Sequence, residues 1–309
     1  MKTGCLNLRL IRFEIKRFCR DEKLWFLLAA LVLFAVFATL AGFFSTGRDI
    51  SAYTIGNYSE ILDRAVQLYS AECEQDYQKL VIACYTGRED MCFGNSGLEY
   101  LLDSRALFFT GLVYAALLGV IDNLGTSKKE CAKWEQTMKT SYRKIQGCRL
   151  LARDICVIFY FAVAYLVEII LYAVLTGGLI LQPVYQIPTY YYSWCSWSVA
   201  VCIFIIFGYM CMECMFFGKI LGLLSAYRTV GGTVVGLCAI GILLVTGHFI
   251  PTVYYRAWPF TYEIASAYFK DFAPMEVGGK LTFPIFTSLI FLLLLNMFIL
   301  IITTAGKKK

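Results

Sequence analysis

Two carboxylates, Glu168 and Glu213, stand inside long apolar runs of a 309-residue chain. An acid at mid-bilayer costs about 2.5–3.5 kcal/mol on insertion scales, so such groups usually face a water-filled path or a partner. Glu168 could line a translocation cavity and attract cationic groups, pair across a dimer, or serve structure alone. Glu213 lies close before Gly218, where it could reach water or pair with Lys219. No second carboxylate sits one helical turn from either, so a paired acid–base device is not indicated. The rest of the chemical inventory is sparse. His248 is the one histidine, which argues against His-based metal sites, Ser–His triads and HExxH proteases. No phosphate-cradling G-x-x-x-x-G-K-[ST] loop occurs, and Gly218-Lys219 lacks both the upstream Gly and the following Ser or Thr. If ATP drives this protein, another chain binds it, and no enzymatic centre is expected here.

The elements that must carry these residues are membrane elements. Hydrophobic residues make up 59% of the chain, against about 45–50% in soluble domains, and mean hydropathy is +0.64. Apolar runs long enough to cross a bilayer cover 24–44, 105–125, 154–181, 195–218, 229–250 and 281–304. The expected fold is an all-α polytopic membrane protein. It has six transmembrane helices, an N-terminal interfacial amphipathic helix, and a small helical extracellular domain after the first span. In 1–23, Arg9, Arg12, Lys16, Arg20 and Lys23 recur at helical steps, opposite Leu8, Ile11, Ile15 and Phe18. Such a helix lies in the headgroup boundary, its cations on anionic membrane lipid. It is not expected to be a signal peptide, since no A-x-A site follows.

Residues 45–104 differ in character, with ten Asp or Glu against four Lys or Arg. They read as an extracellular cap holding Cys73, Cys84 and Cys92. A Cys84–Cys92 disulfide around the polar turn 86–90 is the first candidate, with three free buried thiols as the alternative. Two further external segments, 182–194 and 251–280, are rich in Tyr and Trp, as at a membrane–water interface.

The loop 126–153 carries eight Lys or Arg and two acids, Glu130 and Glu135. Basic loops between spans stay in the cytoplasm. Cytoplasmic segments would hold seven cations before the first span, eight in this loop, two in 219–228 and three in the tail 305–309, which is twenty of the 28. Both termini are therefore expected on the cytoplasmic side, and the membrane is expected to be a bacterial plasma membrane. Within the loop, Trp134 and Met138 fall four apart on a basic helix, a hydrophobic knob for a protein groove or, alternatively, a lipid-surface helix. Gly232-x-x-x-Gly236 would let two helices approach closely.

This layout resembles the six-span permease subunits of ABC exporters of the ABC-2 type. An interfacial helix leads into the first span, a cytoplasmic helix separates spans two and three, and a re-entrant-looking aromatic segment precedes the last span. The nearest local echo runs from Glu130 to Arg153, although Gln136 stands where the family has a Gly before Thr137. The 60-residue cap also departs from the family's short first loop.

The resemblance implies a homodimer or close heterodimer with a second permease copy. It implies two ATPase subunits that carry ATP and Mg, and a coupling helix with Glu130, Lys133, Trp134, Glu135, Thr137 and Met138. It places Gly232 and Gly236 at the dimer seam. Helical facing puts Phe108, Phe109 and Tyr114, with Glu168, on the cavity wall. An apolar aromatic cavity below an acidic cap suits hydrophobic or amphipathic peptide cargo, such as bacteriocins or cytolytic peptides. Small drugs or lipids, a non-transporting sensor or immunity protein, and a secondary transporter are the alternatives. Nucleic acid is not an expected partner.

Overall fold

A computed structural model describes residues 8–45, 53–54, 91–92, 99–102, 105–121, 142–176, 181–187, 190, 193–227, 229–246, 249–250, 258–260, 267–270, 275–277 and 280–305. Nearly all of it is helical. The long helices are α1 (Leu8–Arg20), α2 (Glu22–Ser45), α4 (Arg105–Ile121), α5 (Tyr142–Thr176), α6 (Val199–Tyr227), α7 (Thr229–Thr246) and α9 (Pro284–Ala305). Short helices are α3 (Glu99–Leu102) and α8 (Ala267–Lys270). Apolar sequence in lipid must satisfy its own backbone, which a helix does completely.

Four helices are long and apolar enough to cross a membrane, over Glu22–Gly42, Lys144–Leu175, Val199–Ser225 and Pro284–Thr303. The chain is a helical membrane protein. Two more apolar helices, Arg105–Ile121 and Val230–Thr246, are shorter. At 1.5 Å per residue each covers about 26 Å, just under the hydrocarbon thickness of about 30 Å. Helix α5, with 35 residues, is about 52 Å long and runs well past any bilayer surface.

Helices α4 and α6 form the centre of the bundle. Ala115 and Gly119 on α4 face Gly218 and Gly222 on α6 so closely that a methyl on Gly218 would lie 2.9 Å from the Ala115 carbonyl oxygen. Small residues spaced by four thus let two backbones touch, as membrane helix pairs often require. Helix α2 packs on α4 and α5, α7 on α6, and α9 on α5 and α6.

Of the acidic stretch after α2, the described parts are α3 and a two-residue antiparallel pair, β1 (Tyr53–Thr54) with β2 (Met91–Cys92), in which Tyr53 faces Cys92. The anticipated helical cap lies mostly outside the described residues. Before α9, β3 (Met275–Val277) pairs with β4 (Lys280–Thr282) as a short hairpin. The sequence reading had no strand there.

Helix α1 docks differently from the expected amphipathic pattern. Its buried stripe is Leu10, Glu14 and Phe18, whereas Leu8 is 79% exposed. The cause is an ion pair: Arg149 Nε of α5 donates to Glu14 Oε1 at 3.1 Å, and Arg17 reaches Glu14 Oε2 at 3.1 Å. Pairing the one acid of α1 with a cation of α5 turns that face of the helix inward.

Candidate functional site: polar groups between the helices

The buried stripe of α5 places the candidate site. Tyr160, Ala164 and Glu168, four residues apart on one face, have no exposed surface. Thr39 of α2 donates its hydroxyl to Glu168 Oε1 at 3.1 Å, so a mid-helix carboxyl ties the first long apolar helix to α5. Glu168 Oε2 has no hydrogen-bond partner among the described residues. Tyr114 of α4 stacks on Tyr160, with centroids 4.9 Å apart and planes at 22°. Tyr165 donates to Met210 Sδ of α6 at 3.4 Å. Helices α2, α4, α5 and α6 therefore meet around a narrow column of phenols and one carboxyl.

A second polar node lies along α6. Lys219 Nζ donates to Asp154 Oδ2 of α5 at 2.8 Å and to Asn296 Oδ1 of α9 at 2.7 Å. Asn296 Nδ2 in turn donates to the carbonyls of Met212 and Leu292, both at 2.9 Å. The ammonium is matched by a carboxylate and an amide oxygen, which is what a charge withdrawn from water requires. Glu213, expected to reach water or Lys219, does neither: it is 2% exposed, and Lys219 is held by Asp154 and Asn296. Sequence reasoning missed Asp154, Asn296, Glu14 and Arg149. Two signals were available. Asn296 is the lone amide in a Leu-rich run, and Glu14 is the one acid in a basic helix.

The other end is built from rings. Trp194 stacks on Phe283 at 5.0 Å, and Trp197 lies 6.2 Å from Phe269 and 5.8 Å from Phe286. Trp194 Nε1 donates to the Tyr268 carbonyl at 2.9 Å, Ser193 Oγ to the Phe269 carbonyl, and Tyr209 Oη to the Pro259 carbonyl. Phe260 stacks on Phe216 at 5.0 Å. Phe216 lies 17 residues along α6, about 26 Å from its start by helical rise. The described residues 258–260, between α7 and α9, thus descend deep beside α6.

The named cavity residues are distributed unevenly. Phe108 and Tyr114 are buried, Glu168 is fully buried, and Phe109 points outward with 53% of its surface exposed. Tyr114 also lines a recess of about 280 Å³ beneath the α1–α2 elbow, with residues of α1, α2 and α5. Gly232 and Gly236 are used inside the chain. A methyl on Gly232 would collide with the Leu224 carbonyl of α6, and one on Gly236 would lie 2.7 Å from Leu221 Cδ2. That glycine face is already covered by α6. Glu130, Lys133, Trp134, Glu135, Thr137 and Met138 lie outside the described residues, as does Cys84 and hence the Cys84–Cys92 pairing; Cys92 is placed by its backbone in β2.

Bundle and buried polar column together define a class, a helical membrane protein with charged contacts between its long helices. No family model matches the chain, and no curated protein or solved structure matches it either.

Proposed function

We propose that the chain is the membrane-spanning subunit of an ATP-driven exporter of the ABC-2 type. It would cross the bilayer six times, through α2, α4, α5, α6, α7 and α9. The observation that carries this is the continuity of α5. One 35-residue helix runs from the end of the basic loop, through Arg149 bonded to α1 and Asp154 bonded to Lys219, to the buried Glu168. A push on loop 126–153 by a docked ATPase would move a rigid lever that grips five other long helices, α1, α2, α4, α6 and α9. The deep position of Phe260 supports the same assignment, since an aromatic segment re-enters beside α6 before the last span.

In this assignment two copies pair, and their cavity moves hydrophobic or amphipathic peptides outward. Phe108, Phe109, Tyr114 and Glu168 are assigned to its wall, with small drugs or lipids as the alternative cargo. Phe109 is already exposed, whereas the other three are buried and would have to be uncovered as the helices move. ATP and Mg are held by the partner ATPase, and both termini face the cytoplasm.

The test is co-purification. A P-loop ATPase encoded beside this chain should co-purify with it, and Trp134→Ala with Met138→Ala should reduce the recovered ATPase several-fold while leaving the permease in the membrane. Full retention in the double variant removes the coupling role. Labelling of 126–153 by an impermeant reagent in intact cells reverses the topology and removes the exporter assignment with it.

A further inference from the structure

The elbow between α1 and α2 is built like a lipid site. Asp21 separates the two helices, and its carbonyl accepts from Leu24 N at 3.1 Å. Trp25 Nε1 donates back to the Cys19 carbonyl at 2.8 Å, which fixes the bend. The recess of about 280 Å³ under this bend is walled by four helices, with Phe18 from α1, Leu28 from α2, Tyr114 from α4 and Ile155 and Phe159 from α5. A second recess of about 320 Å³ opens on the other side of α2, with Lys23 on its rim. Both are almost wholly apolar inside; Lys23 lines the second, and the first is lined by Cys19 and Leu24, the chain neighbours of Arg20 and Lys23. Arg12, Lys16, Arg20 and Lys23 are exposed, and none makes an ion pair among the described residues.

An apolar slot beneath a row of free cations matches one kind of molecule in the surrounding bilayer. We propose that an anionic phospholipid of the leaflet in which α1 lies is bound at this elbow. Its acyl chain fills the α1–α2–α4–α5 recess and its phosphate sits on Arg20 and Lys23. Two features separate this from ordinary boundary lipid. The recess is an open slot with walls from four helices and is not a groove on one, and one of those walls is a helix held to α5 by the Glu14–Arg149 pair. A neutral lipid would fill the slot but offer no anion to Arg20 and Lys23, which make no ion pair with the neighbouring Asp21 and Glu22. The assignment stands whether or not the chain exports anything.

The test uses the full chain in mild detergent, offered equal amounts of phosphatidylglycerol and phosphatidylcholine, with retained lipid read by native mass spectrometry. Phosphatidylglycerol should be retained in clear preference. Arg20→Gln with Lys23→Gln should lower that preference about fivefold or more, the weight of one to two interfacial cations. Leu28→Trp, which fills the recess, should abolish retention of either lipid. If that variant does not fold, Cys156→Phe fills the same space, and the competition on the unaltered chain decides by itself. Equal retention of the two lipids, or retention unchanged by filling the recess, overturns the proposal. So does a filled recess that stops peptide export while lipid retention persists, because the slot would then belong to cargo.

Discussion

The two ends of the bundle are held by different chemistry. Towards α1 the contacts are ionic: Glu14 with Arg149 and Arg17, and Asp154 with Lys219. Towards the start of α6 they are rings and neutral hydrogen bonds, with Trp194, Trp197, Phe269 and Phe283 packed together and hydroxyl and indole donors on main-chain carbonyls. The difference has a mechanical meaning. A buried ion pair resists separation of its partners but tolerates exchange of one partner for another, since each charge must always be matched. Interlocked rings fill one shape and have no alternative partner. The ionic end is suited to a few discrete arrangements. The aromatic end is suited to staying closed around a single packing.

The largest effect should come from breaking the ionic end. Lys219→Met leaves Asp154 with 13% side-chain exposure and no cation on it from α6, and should destabilise the chain by about 3–5 kcal/mol. Adding Asp154→Asn should return most of that loss, because the uncompensated charge goes with it. Titration with a denaturing detergent in mixed micelles measures both. At the other end, Trp194→Phe keeps a ring on Phe283 but removes the donor to the Tyr268 carbonyl. Its cost should be about 1–3 kcal/mol, and no second substitution near it should restore stability. A rescue of Trp194→Phe as complete as the Asp154→Asn rescue would erase the contrast between the ends.

The sequence showed where the helices are better than how they meet. Hydrophobic runs marked the apolar helices, because length and composition decide what a bilayer accepts, but not their ends: α5 begins at Tyr142, inside the loop expected over 126–153, and α6 continues to Tyr227, through the turn expected over 219–228. The basic loop and the mid-helix Glu168 were equally visible. Pairings were harder to read, since two groups far apart in the chain carry no joint signal in one sequence: nothing in Lys219 names Asp154 or Asn296. Two local signals were present and given no weight. Gly218-x-x-x-Gly222 has the same spacing as Gly232-x-x-x-Gly236 and marks the central crossing with α4. The dipeptide Gly278-Gly279 between β3 and β4 is of the kind that two-residue hairpins favour. Counting helical steps grouped Phe109 with Phe108 and Tyr114, but the crossing at Ala115 and Gly119 turns Phe108 and Tyr114 into the bundle and Phe109 out of it.

The glycines sharpen the comparison from the middle of the bundle. Gly232→Ala meets main chain, the Leu224 carbonyl, which cannot swing away, and should cost about 1–3 kcal/mol. Gly241 on the same helix has no neighbour within 4 Å of an added methyl. Gly241→Ala should instead stabilise by about 0.5–1 kcal/mol through helix propensity. If Gly232→Ala left folding intact and only prevented two copies from associating, the glycine face would lie between copies and not against α6.

The smallest effect belongs to the single hydrogen bond between α2 and Glu168 of α5. Thr39→Val removes the hydroxyl that α2 offers to Glu168 while keeping the shape of the side chain. Hydrogen bonds between membrane helices average about 0.6 kcal/mol, so stability should fall by that order only. Glu168→Gln keeps an acceptor oxygen for Thr39 and should cost less still. Because α2 is lightly packed, with 22% of its apolar window buried against 56% for α6, a weak latch is a sizeable share of what holds it. Loss of the hydroxyl should therefore raise hydrogen exchange along α2 more than it lowers the unfolding midpoint. A loss of several kcal/mol with no change in α2 exchange would mean that the Thr39–Glu168 bond is an ordinary part of the packed core, no different from the ring contacts at the far end.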